Sequence, residues 1–157
     1  MTILRVDGLS KRYPAFCLRD VSFSIEEGRV MGLIGRNGAG KTTTIKSILR
    51  LVRPDGGTVQ FLGKPLDLDA SALRREAGYV SGDLCYSPRK RLSQLTAVTK
   101  SFYPSWDDKK YEALLHRFSL DETKRVCELS AGMKVKYQLA CALSHGAKLL
   151  ILDEPTS

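Results

Sequence analysis

The sequence predicts an α/β fold, because strand-sized apolar segments and amphipathic helices follow one another along the chain. Residues 29–34 form a nearly continuous apolar run, which predicts a strand covered on both faces, and a glycine-rich loop follows it directly. A second short apolar run, residues 149–152, predicts another buried strand, and residues 67–145 before it are mainly helical. With 157 residues, 43% of them apolar and 27% charged, the chain suits one domain with a hydrophobic core.

Three parts of this single domain, residues 1–157, are distinguished by their pattern: residues 1–66, 67–145 and 146–157. In the first part, strands are predicted at residues 2–6, 21–25, 29–34 and 58–62, and a helix at residues 41–51. Val21, Phe23 and Ile25 alternate with serines, which is typical of a half-buried strand. Pro54 and the glycine pair that follows it cannot continue the helix, so we expect the helix to end before them.

The second part holds most of the predicted helices. A short helix at residues 70–76 precedes a brief strand at residues 78–80. A second helix runs to about Arg117 with Ser105 as its expected N-cap, and a third begins just after Ser130 and ends at His145. The second helix has one apolar face, which consists of Tyr111, Leu114, Leu115 and Phe118.

The formal net charge is +8, from 25 basic and 17 acidic residues. Such an excess suits nucleic acid, an anionic membrane surface or phosphorylated ligands. The charges are scattered, however, and we interpret the one tight cluster, Arg89-Lys90-Arg91, as a solvated loop. Charge alone therefore does not select among these partners.

The cysteines and the hydropathy exclude other classes of protein. Cys17, Cys85, Cys127 and Cys141 show no CxxC spacing, which predicts free thiols in a reducing compartment, with Cys141 in the core. No apolar run approaches the roughly 18 residues that a membrane-spanning helix needs. Charged residues also come too early for a signal peptide. We therefore expect neither a secreted nor an integral membrane protein.

The segment from Gly35 to Thr42, Gly-Arg-Asn-Gly-Ala-Gly-Lys-Thr, matches the pattern GxxxxGK[ST] between a predicted strand and a predicted helix. Glycines leave the backbone amides bare, so that several amides can point at one polyphosphate. Lys41 adds a positive charge for the terminal phosphates, and the Thr42 hydroxyl can ligate Mg²⁺. An ordinary glycine turn would not need lysine and threonine at these places. The expected nucleotide-binding residues are Gly35, Asn37, Gly38, Ala39, Gly40, Lys41, Thr42 and Thr43.

Two further segments carry groups that suit phosphate chemistry. Asp153 and Glu154 end the last apolar strand, and successive strand side chains point to opposite sides, so the two carboxylates can have different roles. Asp153 can hold Mg²⁺ through a water molecule while Glu154 faces the attacking water. Ser130 precedes the last helix as a natural N-cap. Its hydroxyl and the free amides of the helix start can also bind phosphate, and both interpretations stay open.

Together these segments resemble the nucleotide-binding domain of bacterial ABC transporters, along essentially the whole chain. The glycine-rich loop is similar to Walker A and residues 149–153 to Walker B. Residues 129–133 resemble the LSGGQ signature, with Ala131 for its first glycine and Met133 for its glutamine. Residues 6–13 resemble the opening strand, which implies that Tyr13 stacks on adenine. The alternative is that Tyr13 only packs against a strand edge.

The resemblance implies a P-loop NTPase fold: a RecA-like core, an antiparallel β subdomain and a helical signature subdomain. It implies ATP and Mg²⁺ as ligands, with Thr42 and Asp153 at the metal and with Lys41 and Glu154 in catalysis. Two subunits would pair head to tail, so that Ser130, Ala131 and Gly132 act on the partner's nucleotide. The implied function is the ATP-hydrolysing subunit of a transporter with a separate transmembrane permease. Such a subunit is cytoplasmic and peripheral at the inner face of the cell membrane, and a nucleic-acid partner is not expected.

Two departures from the family pattern qualify these expectations. Gly82 stands where the family has its Q-loop glutamine, which leaves Ser81 or Asp83 as candidates for that contact. The chain ends soon after Walker B, and its two histidines both precede that motif, so we expect a C-terminally incomplete domain without the family's switch histidine. Such a chain is expected to bind ATP weakly and to hydrolyse it slowly or not at all. Two alternatives stay open: a soluble ABC ATPase that acts on ribosomes or DNA, and an inactive fragment.

Overall fold

The computed structural model describes residues 1–66, 70–82 and 86–154, which belong to two compact units, Met1–Arg74 and Arg75–Ser157. In the first unit the elements are β1 (Thr2–Tyr13), β2 (Phe16–Glu26), α1 (Lys41–Ile48), β3 (Gly56–Phe61) and β4 (Lys64–Pro65). Helix α2 (Ser71–Glu76) lies at the division between the units. The second unit contains β5 (Ala77–Ser81), α3 (Leu92–Ser101), α4 (Asp108–Phe118), a 3-10 turn (Val126–Glu128), α5 (Ala131–Ser144) and β6 (Leu149–Asp153).

The first unit is built on a four-stranded antiparallel sheet in the order β2-β1-β3-β4. Strands β1 and β2 are longer than the sequence pattern predicts. They remain paired as far as a tight hairpin turn, where Tyr13 pairs with Phe16. Val6 and Leu9 of β1 are fully buried, and Ile45 and Ile48 of α1 are buried in the same unit. The antiparallel β subdomain that the sequence predicts is therefore present.

The predicted strand at residues 29–34 is wrong: this segment has no regular secondary structure. The side chains of Val30 and Ile34 are 101% and 98% exposed. Hydrophobicity alone does not make a strand, because its backbone amides and carbonyls also need a neighbouring strand. Within the described part of the chain, no strand pairs with this segment. Helix α1 also ends earlier than predicted, at Ile48, where Arg50 turns to a left-handed φ of 56°.

The second unit combines a two-stranded parallel sheet, β5-β6, with helices packed around α5. Residues 77–81 pair in register with residues 149–153, so that Ser81 lies beside Asp153. The hydrophobic core of the unit consists of Leu92, Tyr111, Leu115, Leu120, Val126, Leu129, Tyr137, Ala140 and Cys141. The apolar face predicted for α4 is confirmed, since Leu114 and Phe118 also pack against this core.

Three details of the second unit differ from the sequence-based expectations. Asp107, not Ser105, caps α4: the Asp107 side chain accepts the Lys110 N–H at 3.0 Å, while Ser105 Oγ donates to the His145 carbonyl at 2.8 Å. The sequence pattern predicts no separate helix at α3. A local capping contact is present at its start, where Gln94 Oε1 accepts the Arg91 N–H at 3.1 Å. Strand β6 is buried on one face only, since the side chains of Leu150 and Leu152 are exposed.

The cysteines within the described residues are free thiols: Cys17, Cys127 and Cys141. Cys85, also expected to be free, lies outside the described residues. Cys141 lies in the core as expected, and burial raises the pKa of its thiol to about 12. Across residues 1–66, 70–82 and 86–154, the helices lack the length and apolar character that crossing a bilayer requires.

Candidate nucleotide-binding site

The glycine-rich loop turns into α1 through two glycines in the left-handed backbone region. Gly38 has φ 84° and Gly40 has φ 95°, a conformation that other residues rarely adopt. Gly40 is also crowded: a Cβ there would lie 2.7 Å from Phe16 Cζ and 2.9 Å from Leu18 Cδ1. Strand β2 thus packs directly against the point where the loop becomes helix, and a larger residue at Gly40 would require the Phe16 and Leu18 side chains to shift.

The side chain of Lys41 is held by the loop that precedes it. Its Nζ donates to the Gly35 carbonyl at 2.9 Å and to the Arg36 carbonyl at 3.2 Å. The loop closes on itself through the Ala39 N–H, which donates to the Arg36 carbonyl at 3.0 Å. These contacts fix a positive charge beside exposed backbone, which is the arrangement that a polyphosphate needs. Thr42 and Thr43 follow in the first turn of α1, and both are partly buried.

Tyr13 lies at the tip of the β1–β2 hairpin, in the same unit as the loop. Its ring centroid is 6.5 Å from that of Phe16, the residue that contacts Gly40, and 5.7 Å from Lys11 Nζ. The Tyr13 side chain is 38% exposed. The structure therefore brings Tyr13 near the loop through Phe16. Its packing on Phe16 agrees with the strand-edge interpretation, and its exposed surface leaves adenine stacking as a prediction.

The two carboxylates at the end of β6 have different surroundings. Asp153 is 7% exposed, and its Oδ2 accepts a hydrogen bond from the Tyr79 hydroxyl at 3.3 Å. The Asp153 carbonyl also accepts the Gly82 N–H at 3.3 Å. Glu154 is exposed, and its backbone φ is 47°, a left-handed conformation that ends the strand. Asp153 and Glu154 therefore differ in burial, and their expected roles at Mg²⁺ and at the attacking water stay predictions.

Ser130 is the N-cap of α5, as predicted. Its Oγ accepts the Met133 N–H at 3.2 Å, while Ala131 and Gly132 are exposed at the helix start. A hydroxyl that accepts one hydrogen bond still has its own O–H to donate. The N-cap interpretation is therefore confirmed, and the phosphate-binding interpretation stays a prediction.

Sequence reasoning missed three residues that support these sites: Phe16, Tyr79 and Gln138. The Gln138 side-chain amide binds both backbone groups of Ser81, accepting its N–H at 3.1 Å and donating to its carbonyl at 2.8 Å. The available signal for Gln138 is a single polar residue in an otherwise apolar stretch of α5, residues 137–143. Asp83, the other candidate for the Q-loop contact, lies outside the described residues.

A glycine-rich loop that opens a helix with lysine and threonine defines a P-loop nucleotide-binding protein. A family model described as ABC transporter matches residues 18–157, and the chain belongs to this family. The ABC transporter ATP-binding protein YtrB of Bacillus subtilis is 33% identical over 139 residues, which cover 88% of this chain and 47% of that protein. The phosphonates import ATP-binding protein PhnC of Treponema denticola is 33% identical over 174 residues, which cover 98% of this chain and 67% of that protein.

Solved structures agree with the family assignment. One described as the ATP-binding subunit of an ABC transporter superposes with a TM-score of 0.85 at 32% identity, covering 98% of this chain and 67% of that one. The expected P-loop NTPase fold of the ABC type is thereby confirmed. The chain spans between about half and two thirds of the length of these relatives.

Proposed function

We propose that the protein is the ATP-binding and ATP-hydrolysing subunit of an ABC transporter. The observation that carries this proposal is the Lys41 ammonium, which donates hydrogen bonds to the Gly35 and Arg36 carbonyls and is thereby held at the glycine-rich loop. A charge fixed in this way does not have to be ordered when phosphate binds, so less conformational entropy is lost on binding. Membership of a family whose relatives include import and export ATP-binding proteins supports the same function.

The residues present suit ATP and Mg²⁺. The bare backbone at Gly38 and Gly40 lets a phosphate approach the loop amides, and Lys41 supplies the charge for its terminal groups. By the motifs they occupy, Thr42 and Asp153 would ligate Mg²⁺, which prefers oxygen donors such as a hydroxyl and a carboxylate. When bound, the ion would neutralise charge on the phosphates. Tyr13 would stack on the adenine.

Hydrolysis would use the exposed carboxylate at the end of β6. Glu154 would accept a proton from a water molecule, whose oxygen forms a bond to the γ-phosphorus. The bond from that phosphorus to the bridging oxygen breaks, which gives ADP and phosphate. Lys41 and the loop amides would stabilise the charge that develops on the phosphate oxygens. Ser130, Ala131 and Gly132 would contribute the start of α5 to the nucleotide of a second subunit paired head to tail.

The resulting cycle would drive transport through a partner. Closure of two subunits around ATP and their reopening after hydrolysis would move a separate membrane permease. The subunit would then lie in the cytoplasm at the inner face of the membrane. Nucleic acid is not part of this proposal, because the positive charge is scattered along the chain.

Two substitutions test the proposal. Lys41→Ala should abolish nucleotide binding, whereas Glu154→Gln should retain binding and accumulate an ATP-bound dimer. Binding is measured by titration of a fluorescent ATP analogue, and dimerisation by light scattering with and without ATP. The matched control is Lys46→Ala, which removes an exposed lysine from the same helix and should bind as the parent does. A Glu154→Gln protein that hydrolyses ATP at the parental rate would contradict the role given to Glu154.

A further inference from the structure

The side chain of Gln138 makes two hydrogen bonds to the backbone of Ser81. Its Oε1 accepts the Ser81 N–H at 3.1 Å, and its Nε2 donates to the Ser81 carbonyl at 2.8 Å. Among neutral side chains, only the planar amides of asparagine and glutamine offer an acceptor and donors side by side. The two bonds therefore fix both the position and the rotation of the Ser81 peptide groups relative to α5.

Ser81 is the residue of β5 that lies beside Asp153 in the parallel ladder. The next residue, Gly82, donates its N–H to the Asp153 carbonyl at 3.3 Å. The Tyr79 hydroxyl reaches Asp153 Oδ2 at 3.3 Å from the same strand. The backbone segment that Gln138 holds is thus the segment that packs against the end of β6, where Asp153 and Glu154 stand.

Gln138 belongs to the helix whose first turn carries Ser130, Ala131 and Gly132. At about 1.5 Å rise per residue, Gln138 lies about 12 Å along the axis from Ser130. An α-helix moves as a stiff element over this length, so a displacement of its N-terminus also displaces the Gln138 amide. Through Ser81, that displacement reaches the strand end that bears the two carboxylates.

Packing alone does not require an amide at this position. Gln138 is partly buried, and its neighbours Tyr137, Leu139 and Ala140 are apolar. An apolar residue of similar length would fill the space, but it would leave the Ser81 N–H and carbonyl without these partners. The amide is therefore needed as the hydrogen-bond partner of the Ser81 backbone at the contact between α5 and β5.

We propose that Gln138 is a positioning residue that couples the N-terminal end of α5 to the carboxylates at the end of β6. This inference rests on the proposed function, since it assigns a role within ATP hydrolysis. Gln138 does not touch the nucleotide. It holds Ser81, and through Ser81 it orients Asp153 and Glu154 when α5 is engaged by a nucleotide.

The test compares Gln138→Met with Lys136→Met in the purified protein. Methionine matches the length of glutamine without its donor and acceptor, and Lys136 is exposed on the same helix. Gln138→Met should lower kcat for ATP about tenfold, as loss of an outer partner does at other metal-dependent sites. The KM for ATP should stay at the value of Lys136→Met, and the melting temperature should fall by only the few degrees that the loss of two hydrogen bonds implies. In nucleotide-free protein, hydrogen exchange at the Ser81 and Gly82 amides should be faster in Gln138→Met only.

A second variant keeps the test decisive if Gln138→Met folds poorly. Gln138→Glu retains an acceptor for the Ser81 N–H but loses the donor to the Ser81 carbonyl, so its kcat should lie between those of the parent and Gln138→Met. If a folded Gln138 variant has the parental kcat while Lys41→Ala is inactive, the role given to Gln138 is wrong and the proposed function still stands. If Lys41→Ala hydrolyses ATP as fast as the parent, the proposed function and this inference fail together.

Discussion

The hydroxyl of Tyr79 donates a hydrogen bond to Asp153 Oδ2 at 3.3 Å, across the parallel ladder between β5 and β6. This bond orients the one carboxylate of the pair that is buried. Asp153 is the proposed Mg²⁺ ligand, and a residue that orients a metal ligand through a hydrogen bond, as Tyr79 does here, commonly affects the affinity for the metal.

Tyr79→Phe should therefore raise the Mg²⁺ concentration that half-saturates ATP hydrolysis by about tenfold. The free energy of unfolding should fall by about 1 kcal/mol from the loss of the hydrogen bond between the Tyr79 hydroxyl and Asp153. The measurement is a magnesium titration of the steady-state rate at saturating ATP. Tyr103→Phe is the matched control, since it removes a phenol elsewhere in the same unit. An unchanged magnesium requirement in Tyr79→Phe would exclude this role.

Ser130 offers a way to separate helix capping from phosphate binding. Aspartate caps helices about as well as serine, so Ser130→Asp should keep the stability of α5. It replaces a neutral hydroxyl by a negative charge, however, and should abolish ATP-driven dimerisation through repulsion of the partner's phosphates. Dimer formation is followed by light scattering in a Glu154→Gln background.

The companion variant is Asp107→Ala, which removes the N-cap of α4. The Asp107 side chain accepts the Lys110 N–H at 3.0 Å. Its loss should cost about 1 kcal/mol of unfolding free energy and leave dimerisation intact. If Ser130→Asp dimerises normally, Ser130 is an N-cap and nothing more.

Gly40 has a left-handed backbone and a close contact with Phe16. A substitution there should lower stability through both backbone strain and steric crowding. In Gly40→Ala the new Cβ would meet Phe16 Cζ at 2.7 Å, in addition to the strain of φ 95°. Gly63→Ala is the matched control, because Gly63 has φ 75° and no atom within 4 Å of an added Cβ. Backbone strain alone costs about 1–2 kcal/mol, so Gly63→Ala should lose that much stability and retain ATP binding. Gly40→Ala should lose more stability, and its affinity for ATP should fall. Equal losses in urea unfolding would show that the Phe16 contact is unimportant.

His145 should make the stability of the protein sensitive to acid. Its side chain is 4% exposed, stacks on Tyr103 with ring centroids 4.0 Å apart, and burial lowers its pKa below the ordinary value of 6.5. The unfolded chain binds the proton more readily than the folded one. The stability due to the neutral ring is therefore complete above about pH 6.5 and is lost as the pH falls through the lower folded pKa.

Urea midpoints measured between about pH 8 and about pH 5 test this expectation. His145→Phe keeps the ring stacking and removes an Nδ1 that is buried without a hydrogen-bond partner among the described residues. Its midpoint should fall less steeply towards acid than that of the parent, whereas His116→Gln, at an exposed site, should follow the parent. Parallel curves for the parent and His145→Phe would refute the assignment.

Local signals in the sequence were sufficient for the elements whose determinants are close together along the chain. Ser130 and Met133, which form the N-cap of α5, are three residues apart. The apolar face of α4 follows from helical spacing, and the sharp turn of the glycine-rich loop follows from Gly38 and Gly40. Asp107 was a harder case, because Ser105 offers a second capping side chain two positions earlier.

The remaining features depend on partners that are distant in sequence. Tyr79 and Asp153 are separated by 74 positions, and Ser81 and Gln138 by 57. Neither pairing has a periodicity or a motif that a single sequence could reveal. The segment at residues 29–34 illustrates the same limit, since its apolar composition says nothing about which strand, if any, lies beside it.

The left-handed backbone at Glu154 affects which substitutions this position tolerates. With φ 47°, this position favours glycine, and glutamate is held there at a cost of about 1–2 kcal/mol. Replacement by glycine would remove the acid and relieve the strain at once. A substitution that removes the proposed catalytic acid therefore need not weaken the fold, and loss of activity and loss of stability are separable at this position.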